Sequence, residues 1–324
     1  VKTYFVRNVS EALWIAMLDI QTVGDLVETR NGPAYEFSGP VGITYTKPRE
    51  RVLFYPERDA NPFFHCLESL WMLAGRNDTA FVEQYSKNIG RYSDDGATFN
   101  GAYGHRWRRH FDYDQLEVAA YRLKNYPNDR RTVVAMWDAT YDLMLENDIK
   151  DVPCNTHVYF SVRNGYLHMT VCNRSNDMIW GAFGANAVHM SYLMEYMASR
   201  VGAKMGHYTQ FTNNLHAYKD VLAKHKLKDP DYEPYLQFRF QSMPLISGSA
   251  EVFNVEVQEF CNGKRSGFKE WFLELTAVPM ANAYDLYKRG DYDAACDTAA
   301  TIGSEDWRKA CVEWLGRRRA AKAK

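Results

Sequence analysis

Residues 152–181 read VPCNTHVYFSVRNGYLHMTVCNRSNDMIWG, and the fold turns on this stretch. Two runs, 157–163 and 166–172, have the make-up of strands and flank Asn164-Gly165. That dipeptide accepts positive φ at both positions and so favours a tight hairpin turn. Cys154 stands just ahead of the first strand, after Pro153, in a polar Pro-Cys-Asn-Thr-His run. Most free cysteines are small buried hydrophobes. This one has a strand mouth and polar neighbours in its favour. Arg174-Ser175 follows the second strand and reads either as an anion grip or as a solvated loop.

Outward from the hairpin, residues 187–201 predict a long helix closed by Gly202, with Asn186 as its cap. The Gly-rich run 181–186 before it reads as a plain turn. Upstream, residues 61–74 predict a helix capped by Asn61, with Pro62 in its first turn and Gly75 at its end. Its apolar face carries Phe63, Phe64, Leu67, Leu70 and Trp71. Glu68 sits among those residues, where a carboxylate is costly unless it has a task or a partner. Arg130-Arg131 precedes the apolar run 132–137; paired guanidiniums at a strand mouth can grip a phosphate. Residues 251–260 alternate well enough to predict a half-buried strand. Beyond Pro279 the pattern turns helical, through 294–300 and 307–315. The basic end from Arg317 onward reads as a frayed, solvated tail. The sum is an α+β domain over 1–280 followed by a helical extension over 281–324.

The bulk numbers narrow the classes. A 46% hydrophobic and 15% aromatic chain of 324 residues can bury a sizeable core. A net charge of −1 lacks the basic footprint of a nucleic-acid binder. No run approaches the roughly 18 apolar residues of a membrane span, and the first residues lack a signal-peptide pattern. The six cysteines contain no C-x-x-C pair, so free thiols and a cytoplasmic location are expected. No Walker loop, G-x-G-x-x-G or H-E-x-x-H stands in the chain, and no metal site is expected.

Taken together, the motifs resemble those of the thymidylate synthase family. Val152-Pro153-Cys154, a hairpin, then Asn173-Arg174-Ser175-Asn176-Asp177 and Gly181 is similar to the family's Pro-Cys, hairpin, Gln-Arg-Ser-x-Asp-x-x-x-Gly. Arg130-Arg131 resembles its double arginine, and Glu68 through Leu73 its Glu-Leu-Leu-Trp-x-Leu helix. Gly101 through Arg108, Asn214 through Tyr218, and Arg30-Asn31-Gly32 resemble three further motifs in the family's order. The resemblance implies a fold with a large mixed sheet and flanking helices. It implies a homodimer in which Arg130 and Arg131 reach the partner's site. It implies a pyrimidine nucleoside monophosphate as substrate and 5,10-methylenetetrahydrofolate as one-carbon donor. Arg30, Arg174 and Ser175 would hold the phosphate, and His216 and Tyr218 the sugar. Cys154 would attack C6 of the base; Glu68 would organise proton transfer, with Tyr103 and Asp177 completing the catalytic set and Asp177 lying by the folate. Covalent addition suits this chemistry, because C5 becomes nucleophilic only once a thiolate has added at C6. Arg174 is the expected cation for lowering the thiol pKa.

The departures from the family point to one product. The family's closing apolar C-terminal segment is replaced by Ala-Lys-Ala-Lys after an added helical region. Ile89 and Tyr92 stand where the family has shielding tryptophans. An exocyclic methylene on the base takes hydride to give methyl, or water to give hydroxymethyl, and a site that admits water favours the second. The expectation is a hydroxymethylase of the kind phages use to modify DNA bases. The alternatives are a true thymidylate synthase and, in another class, an inactive nucleotide- or RNA-binding homologue. Eleven residues past Arg174 falls Ala185, and a single inserted residue makes Asn186 the reader of the base. Its carboxamide suits uracil and, flipped, cytosine, so dUMP is favoured, with dCMP and CMP as alternatives.

Overall fold

The computed structural model describes residues 1–146, 148–228 and 233–322. Its strands are β1 (Lys2–Val6), β2 (Asp25–Val27), β3 (Ala34–Glu36), β4 (Val41–Tyr45), β5 (Val133–Ala135), β6 (Asn155–Arg163), β7 (Tyr166–Asn173), β8 (Asn176–Asp177), β9 (Lys204–Thr212) and β10 (Leu215–Tyr218). Its longer helices are α1 (Val9–Val23), α2 (Pro62–Leu73), α3 (Gln115–Asn125), α4 (Asn186–Val201), α5 (Ala250–Cys261), α6 (Val278–Lys288), α7 (Tyr292–Ala299) and α8 (Glu305–Lys322). The hairpin forms where its turn residues place it: β6 and β7 pair antiparallel about Asn164 at φ 51° and Gly165 at φ 78°. Around it grows a six-stranded mixed sheet in the order β1-β4-β9-β7-β6-β5. A second sheet, β2-β3-β10-β8, lies at its side. The expected large mixed sheet with flanking helices is the observed architecture.

The central helix explains the layering. Every residue of α4 from Asn186 to Ala198 is buried. It packs on β7 and β9 and against α2. A helix buried on all sides must find a partner for each polar residue it carries. Ser191 donates to the Pro48 carbonyl. Glu195 is ion-paired with Arg49 and Arg51 and accepts from the Leu245 amide at 3.0 Å. The Tyr192 hydroxyl meets Cys66 Sγ and the Tyr196 hydroxyl donates to Asn254, while Asn186 and His189 face a cavity. Gly202 ends the helix in the left-handed region at φ 70°.

The helix α2 begins as its residues predict. Asn61 accepts from the Phe64 amide at 3.2 Å, and Pro62 opens the first turn. Phe63, Cys66, Leu67 and Leu70 are fully buried. The C-terminal helices close over it: Tyr284 and Trp314 lie 5.3 and 5.6 Å from the Phe63 ring.

Four expectations are corrected. Residues 251–260 lie in a helix, α5, not in a strand. Ser249 caps it by accepting from Val252, and Phe253, Val257 and Phe260 line one buried stripe. The run 178–185 is not a plain turn; it is a widened helical turn capped by Asp177 and broken at Gly184. Asn186 therefore does not cap α4: Ala185 precedes it in helical conformation, and its side chain is used elsewhere. The basic end is not frayed through Lys322: α8 continues, and Arg317 and Arg318 hold Asp59 at 3.0 and 2.8 Å. The last two residues of the expected solvated tail lie outside the described residues.

Candidate active site

Cys154 is placed by the end of the neighbouring strand. The Arg174 amide donates to the Cys154 carbonyl at 2.9 Å. The Arg174 guanidinium donates to the carbonyls of Pro153 at 2.9 Å and Val152 at 3.0 Å. Its Nη2 then lies 3.8 Å from Cys154 Sγ, and its plane sits over the Trp137 ring at 5.8 Å. From below, the fully buried Arg106 clasps Asp142 with two bonds of 2.8 and 2.9 Å. It also donates to the Asn100 carbonyl at 2.9 Å, and Asn100 in turn donates to the Asp151 carbonyl at 3.0 Å. The thiol loop is thus fixed on two sides.

The expected cation is present and acts in the expected direction, but it is not the largest influence on the thiol. Burial pushes the Cys154 thiol up, and Arg174 pulls it down without overcoming burial; Asp151 and Asp177 add to the rise. A carboxylate pair near a half-buried sulfur raises the cost of the thiolate.

Tyr103 links the thiol loop to a cavity of about 200 Å³, which it lines with Glu68, Trp71, Ile89, Tyr92, Asn186 and His189, among others; Cys154 itself is not in that lining. The Tyr103 hydroxyl accepts from the Asn155 amide at 3.4 Å, next to Cys154, and burial holds its pKa above the ordinary phenol value. Asn186 Nδ2 donates to Asn176 Oδ1 at 3.0 Å, and Asn155 Nδ2 reaches Asn186 Oδ1 at 3.5 Å. Gly181 makes room for that pair, since a Cβ there would stand 2.3 Å from Asn176 Oδ1. Glu68 Oε2 lies 2.9 Å from His189 Nε2. His189 escaped the sequence reading, although it follows Asn186 by three residues on a helix and so shares its face. Ile89 and Tyr92, expected at the wall of the site, do line this cavity.

The small sheet assembles the second half. His216 and Asp177 are register partners on β10 and β8. His216 Nδ1 is 2.9 Å from Asn214 Oδ1, to which the Ser175 hydroxyl also donates at 3.5 Å. Tyr218 sits edge-on to His216 at 5.3 Å, and its hydroxyl accepts from Asn31 at 3.2 Å. Asn31 belongs to the Arg30-Asn31-Gly32 turn, where Gly32 has φ 106°, so the Arg30 loop closes on Tyr218 of β10. Asp177 accepts from the Trp180 amide at 2.6 Å, while its Oδ2 is buried without a partner. Burial raises its pKa against that hydrogen bond. Arg58, a further residue the sequence did not single out, is buried against this wall. It donates to the Ile179 carbonyl at 3.0 Å and stacks on Trp180 at 4.4 Å. Burial lowers it to about 10, against the pull of Asp177 and Asp59.

Arg130 and Arg131 are not brought to this cluster within one chain. They sit on an exposed loop ahead of β5, the edge of the six-stranded sheet, and Arg131 Nε is held by Asp129 at 3.2 Å. A larger groove of about 820 Å³, edged by Lys47, Arg49, Lys204 and Arg239, lies elsewhere and contains no thiol. Among the described residues no group of three His, Cys, Asp or Glu side chains could hold a metal ion. No helix there is long and apolar enough to cross a membrane.

Residues 61–261 match the family model described as thymidylate synthase. The chain is 45% identical to the deoxyuridylate hydroxymethyltransferase of Pseudomonas phage M6, over 97% of this chain and 94% of that one. It is 42% identical to the protein of that name from Bacillus phage SP01, over 61% of this chain and 54% of the other. A third so named, from Delftia phage PhiW-14, is 30% identical over 72% of this chain and 69% of its own.

Proposed function

The chain belongs to the thymidylate synthase family, and from that premise we propose that it transfers a one-carbon unit to C5 of dUMP and releases 5-hydroxymethyl-dUMP. The observation that carries the reading is Arg174 Nη2 at 3.8 Å from Cys154 Sγ, with Tyr103 joining that loop to the cavity lined by Asn186 and Glu68. The phage relatives named deoxyuridylate hydroxymethyltransferase support the product.

Cys154 adds its sulfur to C6 of the base, and the displaced electron pair moves onto the C4 oxygen. Asn186, braced by Asn176, keeps an acceptor and a donor for N3–H and O4 of uracil. Methylenetetrahydrofolate supplies the one-carbon unit; the unpartnered Asp177 Oδ2, next to the exposed Trp180, fits a polar ring edge of that group. Arg30, Arg174 and Ser175 hold the nucleotide phosphate, and His216 and Tyr218 hold the sugar. Tyr103 and Glu68 handle protons at the base. Ile89 and Tyr92 leave the cavity wall open to water, which favours hydration over hydride transfer.

The outer face of the large sheet supports a homodimer. Thr3, Phe5, Thr44, His157, Tyr159, Thr170, His207, Thr209 and Phe211 point away from the core. None of these carries a fixed charge, Arg163 stands at the far end of the same face, and Phe5 is 70% exposed. A second copy on that face would bury an apolar patch and place Arg130 and Arg131 at its partner's phosphate. Added positive charge there would offset the burial that now holds the thiol up. The helices from 281 through Lys322 act as an extension bracing α2, and the reaction runs in the cytoplasm.

The test is mass spectrometry of the nucleotide formed from dUMP and methylenetetrahydrofolate by pure protein. A product heavier by CH₂O, with tetrahydrofolate released, is expected. A methylated product with stoichiometric dihydrofolate would overturn the reading.

A further inference from the structure

His189 is the one polar residue of the buried central helix whose bonding the fold leaves incomplete. Its side chain is 4% exposed and Glu68's 14%, and their nearest atoms are 2.9 Å apart. Yet neither His189 nitrogen nor Glu68 Oε2 has an aligned hydrogen-bond partner. Buried polar groups are almost always satisfied, so orphans facing a cavity leave places for a water or a ligand atom to bond. A purely structural pair at this depth gains little over apolar packing. The pair faces the cavity walled by Ile89 and Tyr92, the side from which water must approach the nascent substituent. His65, also buried, lies on the same helix as Glu68; burial, with Arg58 and His189 itself, holds it well below the usual imidazole range. It is therefore neutral and does not compete for the proton.

We propose that His189 acts through Glu68 as the proton relay for the hydration step of the reaction. This rests on the hydroxymethylase reading above. The attacking water forms a C–O bond to the exocyclic methylene carbon and gives one proton to the Glu68 carboxylate, which passes it to His189 Nε2. The methylene π pair moves through C5 onto the C4 oxygen. When that pair returns, C5=C6 re-forms, the C6–S bond breaks, and the Cys154 sulfur leaves with its electrons and recovers a proton. No oxidant or reductant is involved. His189 is a positioning and relay residue, and Glu68 is the group that touches the reacting water.

The experiment separates steps before hydration from hydration itself. Tritium release from [5-³H]dUMP with methylenetetrahydrofolate reports formation of the methylene, and product analysis reports its hydration. The variants are His189→Ala and the bulkier His189→Gln, each checked for dUMP binding. In a variant that binds dUMP, tritium release is expected to persist within about twofold, while hydroxymethyl product falls on the order of 100-fold. Added 2-mercaptoethanol should then capture the accumulated methylene as a thioether of dUMP. His189→Gln keeps the ring's volume and an amide near Nε2, so it carries the test if His189→Ala loses binding. A parallel fall of release and product in a variant that binds dUMP overturns the relay, as does no fall in either. Wild-type protein that releases no tritium overturns the hydroxymethylase reading instead.

Discussion

Replacing Asp142 by Asn tests how the thiol loop is held. The Arg106–Asp142 pair is fully buried on both sides, and the substitution removes the carboxylate while leaving the guanidinium with no counter-charge. Breaking a buried pair from one side costs about 3–5 kcal/mol. With 324 residues and about 2.1 cal/mol/K of unfolding entropy per residue, the chain carries roughly 0.7 kcal/mol/K. The expected loss is therefore about 4–7 °C in Tm, read by calorimetry. Arg106 also carries Asn100, and through it Asp151, three residues before Cys154. Turnover should fall too, on the order of tenfold or more, because small misplacements of a nucleophile are costly. The double variant Arg106→Met with Asp142→Leu should recover the stability, since apolar residues of similar volume replace such pairs at little cost. It should not recover the turnover. A Tm shift under about 1.5 °C in Asp142→Asn, or a double variant no more stable than the single, would refute the reasoning.

Four further outcomes follow from the geometry. Cys154→Ala should abolish tritium release from C5-labelled dUMP while retaining dUMP binding; measurable turnover would contradict covalent addition. Asn186→Asp should lower kcat/KM for dUMP and raise it for dCMP, shifting their ratio by about 100-fold (roughly 3 kcal/mol), because a protonated carboxyl can donate to N3 of cytosine; an unchanged ratio would remove Asn186 as the base reader. Arg131→Ala and Cys154→Ala subunits, each nearly inactive alone, should regain activity when unfolded and refolded together, and no recovery would argue against shared sites. Finally, burial pushes Glu195 up, but Arg51 and Arg49 outweigh it and hold it down to about 2 against an ordinary 4.5. Its folded pKa is depressed, so its contribution is whole above pH 4.5 and is lost as the pH falls towards 2. Tm measured across that window should drop more steeply in the wild type than in Glu195→Gln; equal slopes would contradict the assignment.

Much of the fold was legible because local signals agreed with their neighbours. Asn164-Gly165 can hardly be anything but a hairpin turn between two strand-like runs, and Asn61-Pro62 ahead of an apolar stripe opens a helix. The segment 251–260 misled because Val252, Val255 and Val257 favour strands and interleave with polar residues. Tertiary burial of Phe253, Val257 and Phe260 on one stripe decided otherwise, with Ser249 capping the start. The site divides in the same way. Cys154, Arg174, Asp177 and Asn186 lie within one run of the chain, so their order nearly gives their geometry. His189 did not stand out because Glu68, which gives it meaning, lies far away in sequence. The net charge balance at the sulfur was equally hidden, since burial and the carboxylates of Asp151 and Asp177 enter only in three dimensions.

The anchoring of the last helix has a consequence for the wall formed by Arg58, Ile179 and Trp180. Asp59, gripped by Arg317 and Arg318, adjoins Arg58, which supports Ile179 and Trp180. Trp314 leans on Phe63, five residues ahead of Glu68 on the same helix. The far end of the chain and the reaction chamber thus share a foundation. Shaving off that end would be felt as slackness around the substrate well before the protein came apart.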